Sequence, residues 1–154
     1  MKKKTAQPAD CIDETVVHPA LKAFFSYRFF KLAMRLRASV NEALCAHGLV
    51  APQLGLLRVL DLSGPASQVD LGRDLGIDKA SMVKWLDGLE KAGCLKRVAD
   101  TKDRRIKRIS LTPKGKAKLS LGAKLREGVE QQFFSPLTES EREALEKTLA
   151  KLLL

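Results

Sequence analysis

The sequence predicts a mainly helical α+β protein, with six helices and one two-stranded hairpin. Three observations carry this. Apolar residues recur at spacings of three and four over most of the chain, the mark of amphipathic helices. That period breaks once, between Gly93 and Thr112, where short alternating β-branched runs take over. Aromatic residues make up only 5% of the chain, too few for a sandwich or barrel rich in Tyr and Trp. With 154 residues, 45% of them hydrophobic, the chain matches one domain that needs neither disulfides nor metal to fold.

Residues 1–19 are polar and end in His18-Pro19, and read as an N-terminal arm. A first helix is expected from Ala20 to Ala46, with Phe25, Phe29, Leu32, Leu36, Val40 and Ala43 forming one stripe and Gly48 as the stop. Phe24, Phe30 and Met34 lie outside that stripe, so more of this helix is apolar than one core requires, and a partner helix is expected. A second helix starts at Pro52, runs through Leu54, Leu57, Leu60 and Leu62, and ends at Ser63-Gly64-Pro65. Ser67 with Asp70 reads as a capping-box variant opening a short third helix that ends at Gly76. Asp78 caps a fourth helix running to Ala92, and Gly93 terminates it. Leu95–Val98 and Ile106–Leu111 form a hairpin around the charged tip Ala99–Arg105. Thr112-Pro113 opens a fifth helix with Leu121, Leu125, Val129 and Phe133 on its apolar face. Thr138-Glu139-Ser140-Glu141 is a capping box for a sixth, which carries Leu145, Leu149 and Leu152. No internal repeat or low-complexity linker divides the chain, so residues 20–154 are expected to form a single domain.

The net charge is +10, and it is concentrated. Residues 94–118 hold ten cations (Lys96, Arg97, Lys102, Arg104, Arg105, Lys107, Arg108, Lys114, Lys116 and Lys118) against Asp100 and Asp103. A segment at +8 reads as a docking surface for a polyanion, nucleic acid before anionic membrane. The three cysteines, Cys11, Cys45 and Cys94, form neither a disulfide framework nor a metal pair. Cys45 and His47 lack the third and fourth ligands a metal needs. No apolar stretch follows Met1-Lys2-Lys3-Lys4 and no run approaches a membrane span, so a cytoplasmic protein with reduced thiols is expected.

The chemistry concentrates in residues 67–111. Two short helices joined by a tight turn suggest helix-turn-helix, with Leu71, Leu75, Ile77, Met82 and Trp85 at the crossing, Gly72 where the helices touch and Gly76 in the turn. On the fourth helix Met82, Trp85, Leu86 and Leu89 face inward; Ala80, Lys84, Asp87 and Lys91 face outward, flanked by Ser81 and Val83. Its N-terminus is a positive dipole end suited to phosphate. A basic hairpin directly after such a pair is a known way to hold both grooves of DNA.

The stretch Leu71–Lys84, then Leu89-Glu90-Lys91-Ala92-Gly93, Asp103-Arg104-Arg105 and Leu111-Thr112-Pro113-Lys114-Gly115, resembles the MarR family of bacterial transcriptional regulators. The resemblance extends to Gly48-Leu49 and Gln53 and to the order of helices along nearly the whole chain. It implies a homodimeric winged-helix repressor or activator on double-stranded DNA. Residues 50–116 would be the winged helix-turn-helix lobe with its two-stranded basic wing, and 20–48 with 117–154 the dimerisation helices. The expected DNA-binding residues are Lys79, Ala80, Ser81, Val83 and Lys84 on the recognition helix and Lys102, Asp103, Arg104, Arg105 and Lys107 on the wing. By the resemblance Arg105 enters the minor groove and Asp103 braces it. A small aromatic or phenolic effector is implied between the dimer helices and the lobe, at residues the sequence does not identify. Arg28, Lys31 and Arg35 form a basic stripe on the first helix that either faces solvent or meets an acid there.

The chain departs from the family pattern at Ala80 and Val83, where hydroxyl residues are common, which shifts expected base readout toward thymine methyls. Cys94 replaces a large apolar residue and reads as a small core side chain. Tyr27-Arg28 occupies the region where the peroxide-sensing branch carries its reactive cysteine. No catalytic motif of the GxSxG, HExxH, Walker or dinucleotide type occurs, so neither an enzyme nor a cofactor is expected. The competing reading is a nonspecific architectural nucleic-acid binder using the same basic hairpin. A membrane-surface role is disfavoured, because the basic segment is a hairpin rather than an amphipathic helix.

Overall fold

The structure, a computed structural model, describes residues 17–100 and 107–153. Most of the arm, the wing tip and Leu154 lie outside the described residues. The chain divides into two compact units, one ending at Ala38 and one spanning Ser39–Leu154.

In the first unit, His18 and Pro19 open a 3-10 turn, Pro19–Leu21, with the His18 ring accepting from the Ala20 N–H. Helix α1, Phe25–Cys45, therefore begins later than the expected Ala20, because this turn uses the preceding backbone groups. Phe25 and Phe29 stack at 6.3 Å, Arg28 lies over the Phe25 ring, and Lys31 lies over Tyr27. No residue of α1 before Val40 is buried.

The second unit contains the end of α1 and helices α2 (Ala51–Ser63), α3 (Gln68–Leu75), α4 (Lys79–Lys91), α5 (Pro113–Phe133) and α6 (Glu139–Leu153). Its core is built from Leu44, Leu49, Leu56, Leu57, Leu71, Met82, Leu86, Leu89 and Ile109. Helix α2 lacks a capping side chain at Val50, and its first N–H groups bond instead to Gln53 Oε1 at 3.2 Å and Asn41 Oδ1 at 2.8 Å. Leu62, expected on the apolar face of α2, is exposed, and Leu56 is buried in the core.

The sheet has three strands rather than two. Strand β1, Ala66–Ser67, pairs antiparallel with β3, Lys107–Leu111, which pairs on its other side with β2, Leu95–Ala99. Two residues carry no alternating pattern, so β1 is held by its partner strand rather than by its own sequence.

Helix α5 buries a different face from the one expected. Gly115, Leu119 and Gly122 point into the core, whereas Leu121 is exposed and Leu125, Val129 and Phe133 are only half-buried. The two glycines explain this, because close approach needs the smallest residue at the contact. A Cβ on Gly115 would lie 2.1 Å from the Cys94 carbonyl oxygen; one on Gly122 would lie 2.6 Å from Leu54 Cδ1. Cys94 is a buried core residue. The Thr138–Glu141 capping box opens α6, with Thr138 N–H donating to Glu141 Oε2 at 2.8 Å, yet α6 buries no residue.

Candidate nucleic-acid interface

Local chemistry sets the angle between α3 and α4. The Ser67 hydroxyl accepts from the Asp70 N–H and donates to its carboxylate at 2.7 Å, starting α3. That bond, aided by the positive charges of Arg73 and Arg108, holds the Asp70 carboxyl below the ordinary carboxylate value. Gly76 ends α3 in the left-handed region at φ 61°, which costs glycine nothing. The Ile77 N–H then bonds back to the Gly72 carbonyl at 2.9 Å. A Cβ at Gly72 would sit 3.3 Å from the Ile77 carbonyl, so the turn closes tightly over it.

Asp78 opens α4 by accepting from the Ser81 N–H at 3.0 Å, and this bond lowers its pKa. One of the N–H groups expected to face a phosphate is therefore already taken, and positive charge at this end comes from Lys79. Met82, Leu86 and Leu89 are buried and Trp85 is half-buried against the rest of the lobe. Lys79, Ala80, Val83 and Lys84 are exposed on the other side, Val83 at 37%, and Ser81 is half-buried. Lys107 is exposed at the start of β3. Lys102, Asp103, Arg104 and Arg105 lie outside the described residues, and the bracing of Arg105 by Asp103 with them.

The base of the wing is tied down. Thr112 Oγ1 donates to the Gly93 carbonyl at 2.7 Å and accepts from the Gly115 N–H, while the Thr112 N–H bonds to the Cys94 carbonyl. Leu-Thr-x-x-Gly is thus the knot that joins β3 and α5 to the C-terminal end of α4. Two cations of the basic segment are committed within the protein. Arg108 bonds Asp100 at 2.5 Å, which raises the Arg108 pKa. Arg97 bonds both Asp87 and Glu90 of α4, at 2.6 and 2.5 Å. Charge counting along the sequence treats both as available to a polyanion. A period of two carries the missing signal for Arg97, since Leu95, Arg97 and Ala99 share one face of β2, and Leu95 is buried.

A cleft of about 730 Å³ lies between α2 and α5, lined by Leu54, Gly55, Arg58, Lys116, Leu119 and Arg126 among others. Arg58 pairs with Asp61 at 3.8 Å and Arg126 with Glu130 at 3.7 Å. Lys118 donates to the His47 carbonyl, placing a cation at the C-terminal end of α1. Among the described residues no group of three or more His, Cys, Asp or Glu could hold a metal ion, and no helix is long and apolar enough to cross a membrane.

A short helix pair with an outward second helix, followed by an antiparallel wing, defines a winged helix-turn-helix protein. The chain belongs to the MarR family of transcriptional regulators, whose family model matches residues 49–107. It is 30% identical to a probable transcriptional regulator from Pseudomonas aeruginosa, over 86% of this chain and 98% of that one, with a TM-score of 0.77. A MarR family protein from Mycobacterium tuberculosis in complex with salicylic acid is 27% identical, over 86% of this chain and 98% of that one, with a TM-score of 0.71. A mutant of MarR from E. coli complexed with operator DNA has the same fold, at 24% identity over 84% of this chain and 93% of that one, with a TM-score of 0.73.

Proposed function

We propose that this regulator binds a palindromic double-stranded operator as a homodimer and releases it in response to a small aromatic or phenolic acid. The observation that carries the reading is α4. Its inner face is fixed in the core, and its outer face presents Lys79, Ala80, Val83 and Lys84 beside a basic wing. Lys84 reaches base edges or adjacent phosphates, and Ala80 and Val83 offer apolar contacts to thymine methyls. Lys102, Asp103, Arg104, Arg105 and Lys107 form the wing contact, with Arg105 in the minor groove, where A·T tracts concentrate negative potential. Residues 50–116 act as the reading lobe and residues 20–48 and 117–154 as the dimerisation region. The α2–α5 cleft is the effector site, where Lys116 attracts a carboxylate and Leu54 and Leu119 cover the ring. The complexes of relatives with operator DNA and with salicylic acid support this assignment.

The test is selection of bound duplex from a random pool, followed by fluorescence anisotropy. A two-fold consensus with half-sites ~34 Å apart is expected. Equal affinity for the selected and a scrambled duplex at ~150 mM salt overturns sequence-specific binding in favour of the architectural reading. Lys84→Ala should cost on the order of 1–3 kcal/mol and change preference within the half-site. Arg105→Ala should cost a similar amount but weaken preference for flanking A·T tracts.

A further inference from the structure

Arg97 lies on the wing, inside the most basic segment of the chain, yet its geometry is that of a strut. It sits on the core-facing side of β2, opposite the buried Ile109 of β3. Its guanidinium bonds Asp87 with one terminal nitrogen and Glu90 with the other. Those carboxylates are three residues apart on α4, hence neighbours on one face of the recognition helix. Only 26% of the Arg97 side chain is exposed, against 56% and 38% for its partners, so it is laid along the protein rather than extended from it. A planar fork suits this double engagement, and a lysine ammonium does not reproduce it. Asp87 and Glu90 are otherwise a liability, because acids on a DNA-reading helix repel phosphate.

We propose that Arg97 is a positioning residue for DNA binding: by bridging Asp87 and Glu90 it fixes the angle between wing and recognition helix, and it does not itself hold phosphate. The proposal rests on the reading of this lobe as DNA-binding. An ion-pair strut and a phosphate contact respond differently to substitution. Removing two acids from a DNA-facing surface strengthens binding if only net charge matters. If the acids anchor the wing, it weakens binding.

The probe is a fluorescein-labelled duplex selected by the wild-type protein from a random pool, titrated at several salt concentrations. The Asp87→Asn/Glu90→Gln double variant should bind about fivefold more weakly despite its higher positive charge, two exposed ion pairs having been lost. Arg97→Gln and Arg97→Lys should weaken binding alike, with the salt slope of the wild type. Tighter or unchanged binding by the double variant overturns the proposal. So does wild-type affinity in Arg97→Lys, or a slope flatter by about 0.9 in Arg97→Gln, the mark of one lost phosphate contact. Hydrogen exchange of the free protein separates this from the DNA-binding reading. Amides of β2 and β3 should exchange faster in the double variant than in the wild type whether or not DNA binds, and equal rates overturn the strut. A wild-type protein with no preference for any duplex overturns the DNA-binding reading alone.

Discussion

The helix-turn-helix lobe and the helices at the two ends of the chain differ in what they do with apolar side chains. In the lobe, Leu56, Leu57, Leu71, Met82, Leu86 and Leu89 are fully buried, and the caps at both ends of α3 and α4 have their hydrogen-bond partners in the chain. In α1 before Val40, and throughout α6, no residue is buried. Phe25 is 71% exposed and Leu153 85%, and Phe24, Phe29 and Phe30 are exposed as well. Monomeric proteins rarely leave such patches uncovered. The lobe is closed within one chain, whereas the helices at each end leave apolar side chains exposed, which we propose a second copy covers.

The largest expected effect tests the closed region. Gly115→Ala forces a Cβ into the Cys94 carbonyl, which is backbone and cannot swing aside. It should cost about 3 kcal/mol or more in urea unfolding, because overpacking here moves the whole β3–α5 junction. Gly122→Ala is the contrast. Its nearest obstacle is the tip of the Leu54 side chain, and alanine gains helix propensity, so the net change should stay within about 1 kcal/mol. Equal costs at the two positions would mean that the knot at Thr112 does not hold the lobe.

A second substitution addresses the open region. Phe29→Glu should leave the lobe folded but abolish self-association. Equilibrium sedimentation at micromolar concentration should then give the 17.0 kDa of one chain, against twice that for the wild type. The wild-type melting temperature should also rise with protein concentration, and that of the variant should not. A wild-type mass of 17.0 kDa removes the comparison's explanation of the exposed phenylalanines.

The smallest effect concerns acid. Near helix starts Asp70 accepts the Ser67 hydroxyl, while Asp78 and Glu141 each accept a backbone N–H, and each has its carboxyl pKa lowered by those bonds. A lowered folded-state pKa contributes stability above the unfolded value, and that contribution is lost as pH falls through the lowered one. Melting temperature should therefore decline as pH drops below the ordinary values of 4.5 for Glu141 and 3.8 for the aspartates. Asp78→Asn keeps the cap without a titrating group and should flatten this acid limb slightly. An unchanged limb would show that the cap at Asp78 does not form.

Local chemistry was legible from the chain alone. Ser67, Asp78, Thr112 and Thr138 announce four helix starts, because a short polar side chain before a helix has one main use. Gly76 and Gly93 announce two stops, and the inward stripe of α4 separates its outer face from its core face. The strand β1 was not legible, since two residues carry no periodicity and β3 supplies the pairing. The buried face of α5 was misread because leucine and phenylalanine outrank glycine in a hydrophobic pattern, while the true contact is a close approach that only glycine permits.

What the sequence determined by itself, then, is the order of the six helices and the hairpin, the family and the outward residues of α4, all set by interactions within a few residues or by a period along one helix. Only the tertiary structure decided that Arg97 and Arg108 are spent on carboxylates and that α2 and α5 enclose a cleft. It also decided that a glycine knot ties β3 and α5 to α4. The physical reason is range. Arg97 meets Asp87 across ten residues and Gly122 meets Leu54 across many more, and no local pattern encodes which distant groups the packing brings within bonding distance.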